Sequence, residues 1–142
     1  PYPDPEFKMS AEADIYPRYA PELAEKIEGV LGEGSDFHLA NGFYAQGVGP
    51  ETAVLPQGWE ERLWKVQNGN TDSFIGWCLD VDDLFMSKAA AARPKDQEFC
   101  TGLLRRGYVT LERCLELAPS MPMEPPEIAR LVARIKRWAK TV

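Results

Sequence analysis

Apolar side chains recur every three to four residues over five stretches of the chain, the spacing of one face of an amphipathic helix. The helices predicted on this basis span residues 21–31, 82–93, 95–106, 110–117 and 127–141. From 43 to 79 the apolar positions instead form short runs separated by Gly, Pro and Asn, which is typical of strands and turns. The chain is therefore predicted to be sheet-rich over residues 1–79 and helical over residues 80–142.

The middle of the chain predicts a small sheet made mostly of hairpins. Four short apolar runs supply its strands, at residues 43–48, 52–56, 63–66 and 73–79. Asn68-Gly69 separates the last two runs, and Asn-Gly is the dipeptide preferred in tight hairpin turns. Trp59, Trp64 and Trp77 are interpreted as core or sheet-face residues. We expect an α+β fold in one domain of 142 residues, with a small mixed, largely antiparallel sheet flanked by helices.

One lysine lies on or beside the apolar stripe of the predicted helix 82–93. Lys88 is followed by Arg93-Pro94-Lys95-Asp96, where the proline ends one helix and the next begins. Two interpretations stay open for Lys88: a functional cation, or a side chain that reaches water past a core helix.

The single histidine, His38, lies in a Gly-flanked polar connection at 34–41 and is interpreted as structural.

Composition and charge narrow the range of functions. A net charge of −6 argues against an extended nucleic-acid surface, but a nucleotide needs only a few local cations or a metal and is not excluded. No apolar run is long enough to span a bilayer and no signal peptide is recognisable, so no membrane partner is expected. Cys78, Cys100 and Cys114 share no close spacing, which predicts buried free thiols in a reducing compartment, the cytoplasm.

Two acidic residues alternate with apolar residues near the start of the chain. The sequence from Met9 to Tyr16 has a period of two, which predicts a short strand with Glu12 and Asp14 on one side. Two carboxylates on one strand face repel each other unless a cation lies between them, and hard oxygen ligands at this spacing suit magnesium. The pair is the best metal-site candidate in the chain. The alternative is a solvent-facing strand that carries two acids.

Several segments together resemble one protein family. They are Glu12-Ala13-Asp14-Ile15-Tyr16-Pro17, Gly32-Glu33-Gly34-Ser35, Tyr44-Ala45-Gln46-Gly47-Val48-Gly49-Pro50-Glu51-Thr52-Ala53, Pro56-x-Gly58-Trp59-Glu60, Asp83-Leu84-x-x-Ser87-Lys88 and Arg93-x-Lys95-Asp96. On these motifs, from about Pro1 to about Leu117, the chain resembles a bacterial branch of the nucleotidyltransferase-like superfamily, related to antitoxin-type nucleotidyltransferases. The resemblance implies a mixed sheet flanked by helices, with a nucleoside triphosphate and a divalent metal at the sheet edge.

The resemblance also implies roles for individual residues. Glu12 and Asp14 correspond to the acidic pair that binds Mg²⁺, and Asp14 is also a catalytic candidate. Lys88 corresponds to a position near the nucleotide and is the second catalytic candidate. Asp96 is expected to orient a cation or to cap the second helix. The residues implied to bind the nucleotide are Lys88, Arg93, Lys95 and Asp96.

The chain departs from the superfamily at one motif. A Gly-Ser turn that cradles the triphosphate is expected just before Pro1, and the Gly34-Ser35 pair follows the acidic strand instead of preceding it. Because the chain starts at Pro1 without methionine, we expect either that residues precede it or that its reading frame begins unusually. Without that turn and its strand the sheet has an unpaired edge, where we expect a homodimer or another protein partner to add.

Three functions are consistent with these observations. The first is a metal-dependent nucleotidyltransferase that uses Glu12 and Asp14 on Mg²⁺ and Lys88 near the nucleotide, although the missing Gly-Ser turn argues against activity of this chain alone. The second is a non-catalytic interaction module, for example an antitoxin-like partner of a toxin. The third is a mobile-element protein that folds and self-associates without chemistry. Metal-dependent nucleotide binding separates the first from the other two.

Overall fold

The computed structural model describes residues 11–142, and these form two compact units that divide after Ala53. The first unit contains β1 (Glu12–Ile15), α1 (Leu23–Leu31), α2 (Asp36–Asn41) and β2 (Tyr44–Gly47). The second contains β3 (Trp64–Val66), β4 (Gly76–Cys78), α3 (Val81–Ala91), α4 (Pro94–Arg105), α5 (Leu111–Leu117) and α6 (Pro125–Ala139). Short 3-10 helices lie at Pro50–Thr52, Trp59–Arg62, Gly69–Thr71 and Ala118–Ser120. These elements confirm the predicted α+β class, whereas the prediction of a single domain stays a prediction.

β1 and β2 form a parallel pair in the first unit. Glu12 lies opposite Tyr44, and Asp14 lies opposite Gln46. A parallel pair needs a long crossover between its strands, and α1 and α2 supply it here. The sequence predicted β2 as the first strand of a meander with the strands that follow it. The structure pairs β2 with β1 instead, because the crossover brings the chain back in the same direction.

α1 packs against one face of β2. Ala45 is buried, and a Cβ on Gly47 would overlap the carbonyl oxygen of Ala24 in α1. The close approach of helix and strand therefore requires glycine at this position. Since side chains alternate along a strand, the residues at even-numbered positions of β1 and β2 lie on the other face.

A segment predicted as an irregular connection is in fact helical. Residues 36–41 form α2, which begins where the hydroxyl of Ser35 accepts a hydrogen bond from the N–H of His38 at 3.2 Å. It ends at Gly42, whose φ of 76° is the left-handed conformation typical of a helix end. The helix has less than two turns, so it offers no repeated apolar spacing from which to predict it.

The core of the second unit lies among α3–α6. Its fully buried side chains include Phe85, Met86, Cys100, Leu131 and Ile135. Pro94 is the first residue of α4, where its missing N–H leaves no hydrogen bond unmade, and Thr110 caps α5 by accepting a hydrogen bond from the N–H of Arg113. These four helices were predicted from the sequence, and their ends agree with the prediction to within about two residues, which is the usual precision of helix boundaries.

β3 and β4 form an antiparallel hairpin in the second unit. Trp64 and Trp77 lie on its strands with 63% and 59% of their surface exposed, so they are sheet-face residues and not core residues. The predicted Asn-Gly turn is a 3-10 turn over Gly69–Thr71 inside a longer loop, capped by Asn68. Residues 53–56, most of another predicted strand, have no regular structure.

The three cysteines are free thiols, as predicted, and Cys100 and Cys114 are buried. The prediction of burial is wrong for Cys78, which is exposed on β4. Burial raises the pKa of Cys100 and of Cys114 to about 12 in each case. Both thiols are therefore protonated at neutral pH and behave as small apolar core residues.

Candidate functional site

The two predicted metal ligands lie on the side of the β1–β2 pair that α1 does not cover. Glu12 is half-buried and Asp14 is exposed. Tyr44 lies beside Glu12 on the neighbouring strand, and Gln46 lies beside Asp14. We call these four residues the polar face. The face presents two carboxylates, a phenol and an amide, and the strand predicted to carry its acidic pair is confirmed.

Tyr44 is the cross-strand neighbour of one of the two acids. It pairs with Glu12 across the β1–β2 ladder. Burial raises the pKa of Tyr44, and the negative charges of Glu12 and Glu33 raise it further. The phenol therefore keeps its proton at neutral pH.

The ring of His38 contacts the ring of Tyr44. The centres of the two rings lie 4.8 Å apart, and the ring planes are inclined by 58°. Nδ1 of His38 accepts a hydrogen bond from the N–H of Gly34 at 2.9 Å, so in the neutral ring the proton is on Nε2. This bond closes the turn between α1 and α2, and it agrees with the structural interpretation of His38.

The polar face fits a metal ion that shares its ligands with a substrate. Among residues 11–142, no group of three or more His, Cys, Asp or Glu side chains is placed to hold a metal ion. Two carboxylates are nevertheless a common protein contribution to Mg²⁺, which takes its remaining oxygens from water and from substrate phosphates. Glu12 and Asp14 suit an ion bound together with a phosphate ligand better than an ion held by protein alone.

A second group of predicted site residues meets where α3 is followed by α4. Nζ of Lys88 lies 3.8 Å from Oδ1 of Asp96 and 5.4 Å from the centre of the Phe99 ring. Nε of Arg93 donates to Oδ2 of Asp96 at 2.6 Å, and Nη2 donates to Oδ1 at 3.2 Å. The backbone N–H of Arg93 also donates to Oδ2, at 3.1 Å. Asp96 therefore caps α4 and pairs with two cations.

The surroundings of Asp96 explain its ionisation. Only 1% of its side chain is exposed. Burial alone would raise the pKa of Asp96, but the hydrogen bonds from Arg93 and the positive charges of Arg93 and Lys88 outweigh it and hold the pKa below its usual value. Lys88 remains 31% exposed, so its stem packs against protein while its charge stays accessible. Lys95, the other predicted nucleotide ligand, is exposed at the second position of α4.

The structure thus brings together two separate sets of predicted residues. Glu12 and Asp14 share one strand face in the first unit. In the second unit, Lys88 and Arg93 both pair with the carboxylate of Asp96. The sequence interpretation gave no role to Tyr44 or Gln46. The period of two along β2, which matches that of the acidic strand, was the signal that could have identified both.

No helix among residues 11–142 has the combination of length and apolar composition needed to cross a membrane.

The family model described as "Nucleotidyltransferase of unknown function (DUF6036)" matches residues 6–112, about three quarters of the chain. The match includes both sets of predicted site residues and stops within α5, so α6 lies outside it. No curated protein and no solved structure matches the chain.

Proposed function

The chain belongs to this family of nucleotidyltransferases of unknown function, and on that premise we propose that its polar face binds a nucleoside triphosphate together with a divalent metal ion. The observation that carries the proposal is the position of Glu12 and Asp14, two residues apart on a strand face that α1 leaves accessible. Two carboxylates on one strand face repel each other, and a bound cation would reduce the repulsion. Mg²⁺ is the ion that this donor set and a triphosphate suit best.

The proposed reaction joins an acceptor hydroxyl to the α-phosphorus of the nucleotide. The new P–O bond to the acceptor forms, the bond from the α-phosphorus to the pyrophosphate oxygen breaks, and the hydroxyl proton leaves. A bound Mg²⁺ would stabilise the negative charge on the phosphate oxygens. We assign Asp14 as the acceptor of the hydroxyl proton because it is the more exposed carboxylate of the pair.

The nucleotide-binding roles of Lys88, Arg93, Lys95 and Asp96 stay predictions. Their contacts within the second unit support a structural role for Asp96, whose carboxylate is occupied by two side-chain cations and a backbone N–H. Lys88 and Arg93 keep exposed charge that could meet a phosphate. Replacing Lys88 by glutamine removes that charge and gives a direct test of its role in nucleotide affinity.

Calorimetric titration tests the proposed site. We would titrate ATP, GTP, CTP and UTP into the chain in the presence and absence of Mg²⁺, and repeat the titrations with Asp14→Asn. The matched control is Glu25→Gln, which removes one exposed acid from α1 in the same unit. We expect metal-dependent binding in the wild type and in Glu25→Gln, and a loss of at least tenfold in Asp14→Asn. Equal affinity in the two variants, or no binding by the wild type, contradicts the proposal.

A second candidate function, self-association, rests on the exposed β3–β4 hairpin. Trp64, Phe74 and Trp77 have 63%, 76% and 59% of their surface exposed. Trp64 lies opposite Cys78 and Trp77 lies opposite Lys65, so the two tryptophans are on opposite faces of the hairpin and offer a second copy two separate aromatic contacts. Backbone pairing along an exposed strand edge of a second copy could add to these contacts.

Sedimentation velocity at micromolar concentration tests the self-association. We expect a dimer that Trp77→Lys shifts towards monomer, because a charge would be introduced into the apolar interface. A monomeric wild type removes this candidate, and it leaves the proposed nucleotide site unaffected.

A further inference from the structure

The chain contains two Asn-Gly dipeptides, Asn41-Gly42 and Asn68-Gly69. In such a dipeptide the backbone nitrogen of glycine can attack the side-chain carbonyl carbon of asparagine, because glycine has no Cβ to obstruct the approach. All four residues are exposed, so solvent reaches both sites. The two sites are alike in sequence and exposure, and they differ in how the fold holds the atoms that would react.

The fold holds Asn41 in an unreactive arrangement. It is the last residue of α2, and its Nδ2 donates a hydrogen bond to the carbonyl of Phe37 at 2.8 Å. The N–H of Gly42 donates to the carbonyl of His38, also at 2.8 Å. The attacking nitrogen and the leaving amide are therefore both engaged, and the end of the helix must open before they can react.

The reacting atoms of Asn68 and Gly69 are arranged differently. Gly69 is the first residue of the 3-10 turn, so its N–H has no carbonyl to bond within the turn. Within the part of the chain that the structure describes, this N–H donates to no other group. The N–H of Asn70 donates to Oδ1 of Asn68 at 2.8 Å. A donor at this oxygen stabilises the negative charge that develops on it when the carbonyl carbon is attacked.

We propose that Asn68 is a site of spontaneous covalent modification, at which the backbone nitrogen of Gly69 closes a succinimide ring. Base removes the N–H proton of Gly69, the bond from this nitrogen to Cγ of Asn68 forms, and the bond from Cγ to Nδ2 breaks to release ammonia. Water then opens the ring at either carbonyl, which leaves aspartate or isoaspartate at position 68. The inference is independent of the proposed nucleotide site.

The two products affect the hairpin differently. Aspartate adds a negative charge but keeps a side-chain oxygen at the cap position, where Asp and Asn are equally favoured. Isoaspartate directs the backbone through the former side chain, which adds one carbon to the loop between β3 and β4 and removes the cap on Asn70. Accumulated isoaspartate would therefore loosen the hairpin that carries Trp64 and Trp77.

The test is incubation of the whole chain in mildly alkaline buffer, with peptide mass spectrometry to quantify conversion at each asparagine. We expect Asn68 to convert at least about tenfold faster than Asn41, because two hydrogen bonds must open before Asn41 can react. In urea, where the fold is absent, the two sites should react at similar rates. The inference is overturned by equal conversion of the two sites in the native chain, by the same rate ratio with and without urea, or by conversion of Asn68 in urea alone.

Gly69→Ala tests the attacking nitrogen. A Cβ at Gly69 would meet no heavy atom within 4 Å outside the adjoining residues, so the variant keeps the turn, while its methyl group hinders the attack. We expect conversion of Asn68 to slow by about tenfold and that of Asn41 to stay unchanged. The matched control is Gly29→Ala, the same change in α1 at a position with equally open surroundings, which should alter neither rate. An unchanged rate at Asn68 in Gly69→Ala would contradict the proposed chemistry.

Discussion

The most demanding test of the second unit concerns a buried ion pair that joins two distant parts of its sequence. Asp83 is completely buried in the first turn of α3. Arg62 donates to it twice, from Nε to Oδ2 at 2.9 Å and from Nη2 to Oδ1 at 2.7 Å. Nη2 also donates to the carbonyl of Gln57 at 3.2 Å. The carboxylate is thus paired with one planar guanidinium, the geometry in which such pairs are strongest.

Replacing Arg62 by leucine should cost about 3 kcal/mol of folding free energy. Breaking a buried ion pair by removing one partner typically costs about 3–5 kcal/mol, because the remaining charge is buried without compensation. We expect the lower end of that range because the Arg62 side chain is 26% exposed, so water can reach the space that it leaves. In the double variant Arg62→Leu/Asp83→Leu no charge is stranded, and its stability should return to within about 1 kcal/mol of the wild type.

Urea unfolding monitored by tryptophan fluorescence gives these free energies. Arg130→Leu is the matched control, since it makes the same change at an exposed residue of α6 and should alter stability by less than about 0.5 kcal/mol. The reasoning is refuted if the urea unfolding curves of Arg62→Leu and Arg130→Leu have the same midpoint and the same slope. So would a double variant that is less stable than Arg62→Leu alone.

Three further results are expected from the second unit. The pKa of Asp96 is held below its usual value in the folded chain, so its ionised carboxylate stabilises the fold at neutral pH. This stabilisation is lost as the pH falls below about 4. Between pH 6 and pH 3 the wild type should therefore lose more stability than Asp96→Asn. Ala92 ends α3 with φ of 54°, so Ala92→Gly should stabilise the fold by about 1 kcal/mol in a thermal melt, whereas Ala90→Gly inside the helix should destabilise it by about as much. Iodoacetamide should modify only Cys78 in the native protein, as counted by mass spectrometry, and modification of the two buried cysteines without urea would contradict their burial.

The sequence predicts helices of this protein better than its sheets, for a physical reason. α3, α4 and α5 have local signals, namely the apolar spacing, the proline that starts α4 and the threonine that caps α5. The partner of a strand is a non-local property, and a period of two reveals which residues share a face but not which strand lies alongside. β2 was therefore predicted as a strand but assigned to the wrong neighbours.

The same limit applies to the candidate site. The acidic pair was identified because both residues lie on one strand, two positions apart. Tyr44 and Glu12 are far apart in sequence, and only the parallel pairing brings them together. Asp96 was placed correctly as a cap and a cation partner because its partners Arg93 and Lys88 lie within the same local stretch.

The sparse burial in the first unit has a consequence for its hydrogen exchange. Of residues 11–53, only Gly32 and Ala45 are buried, and Leu23 and Val30 of the predicted apolar stripe on α1 are 42% and 59% exposed. Where so few side chains are buried, the backbone hydrogen bonds open in local fluctuations whose free energy is lower than that of global unfolding. We therefore expect the β1–β2 amides to exchange with solvent deuterium well before those of α3–α6. A ligand that binds only the closed form would slow that exchange in proportion to its occupancy, so the exchange rates of these strands would report directly on binding at the polar face.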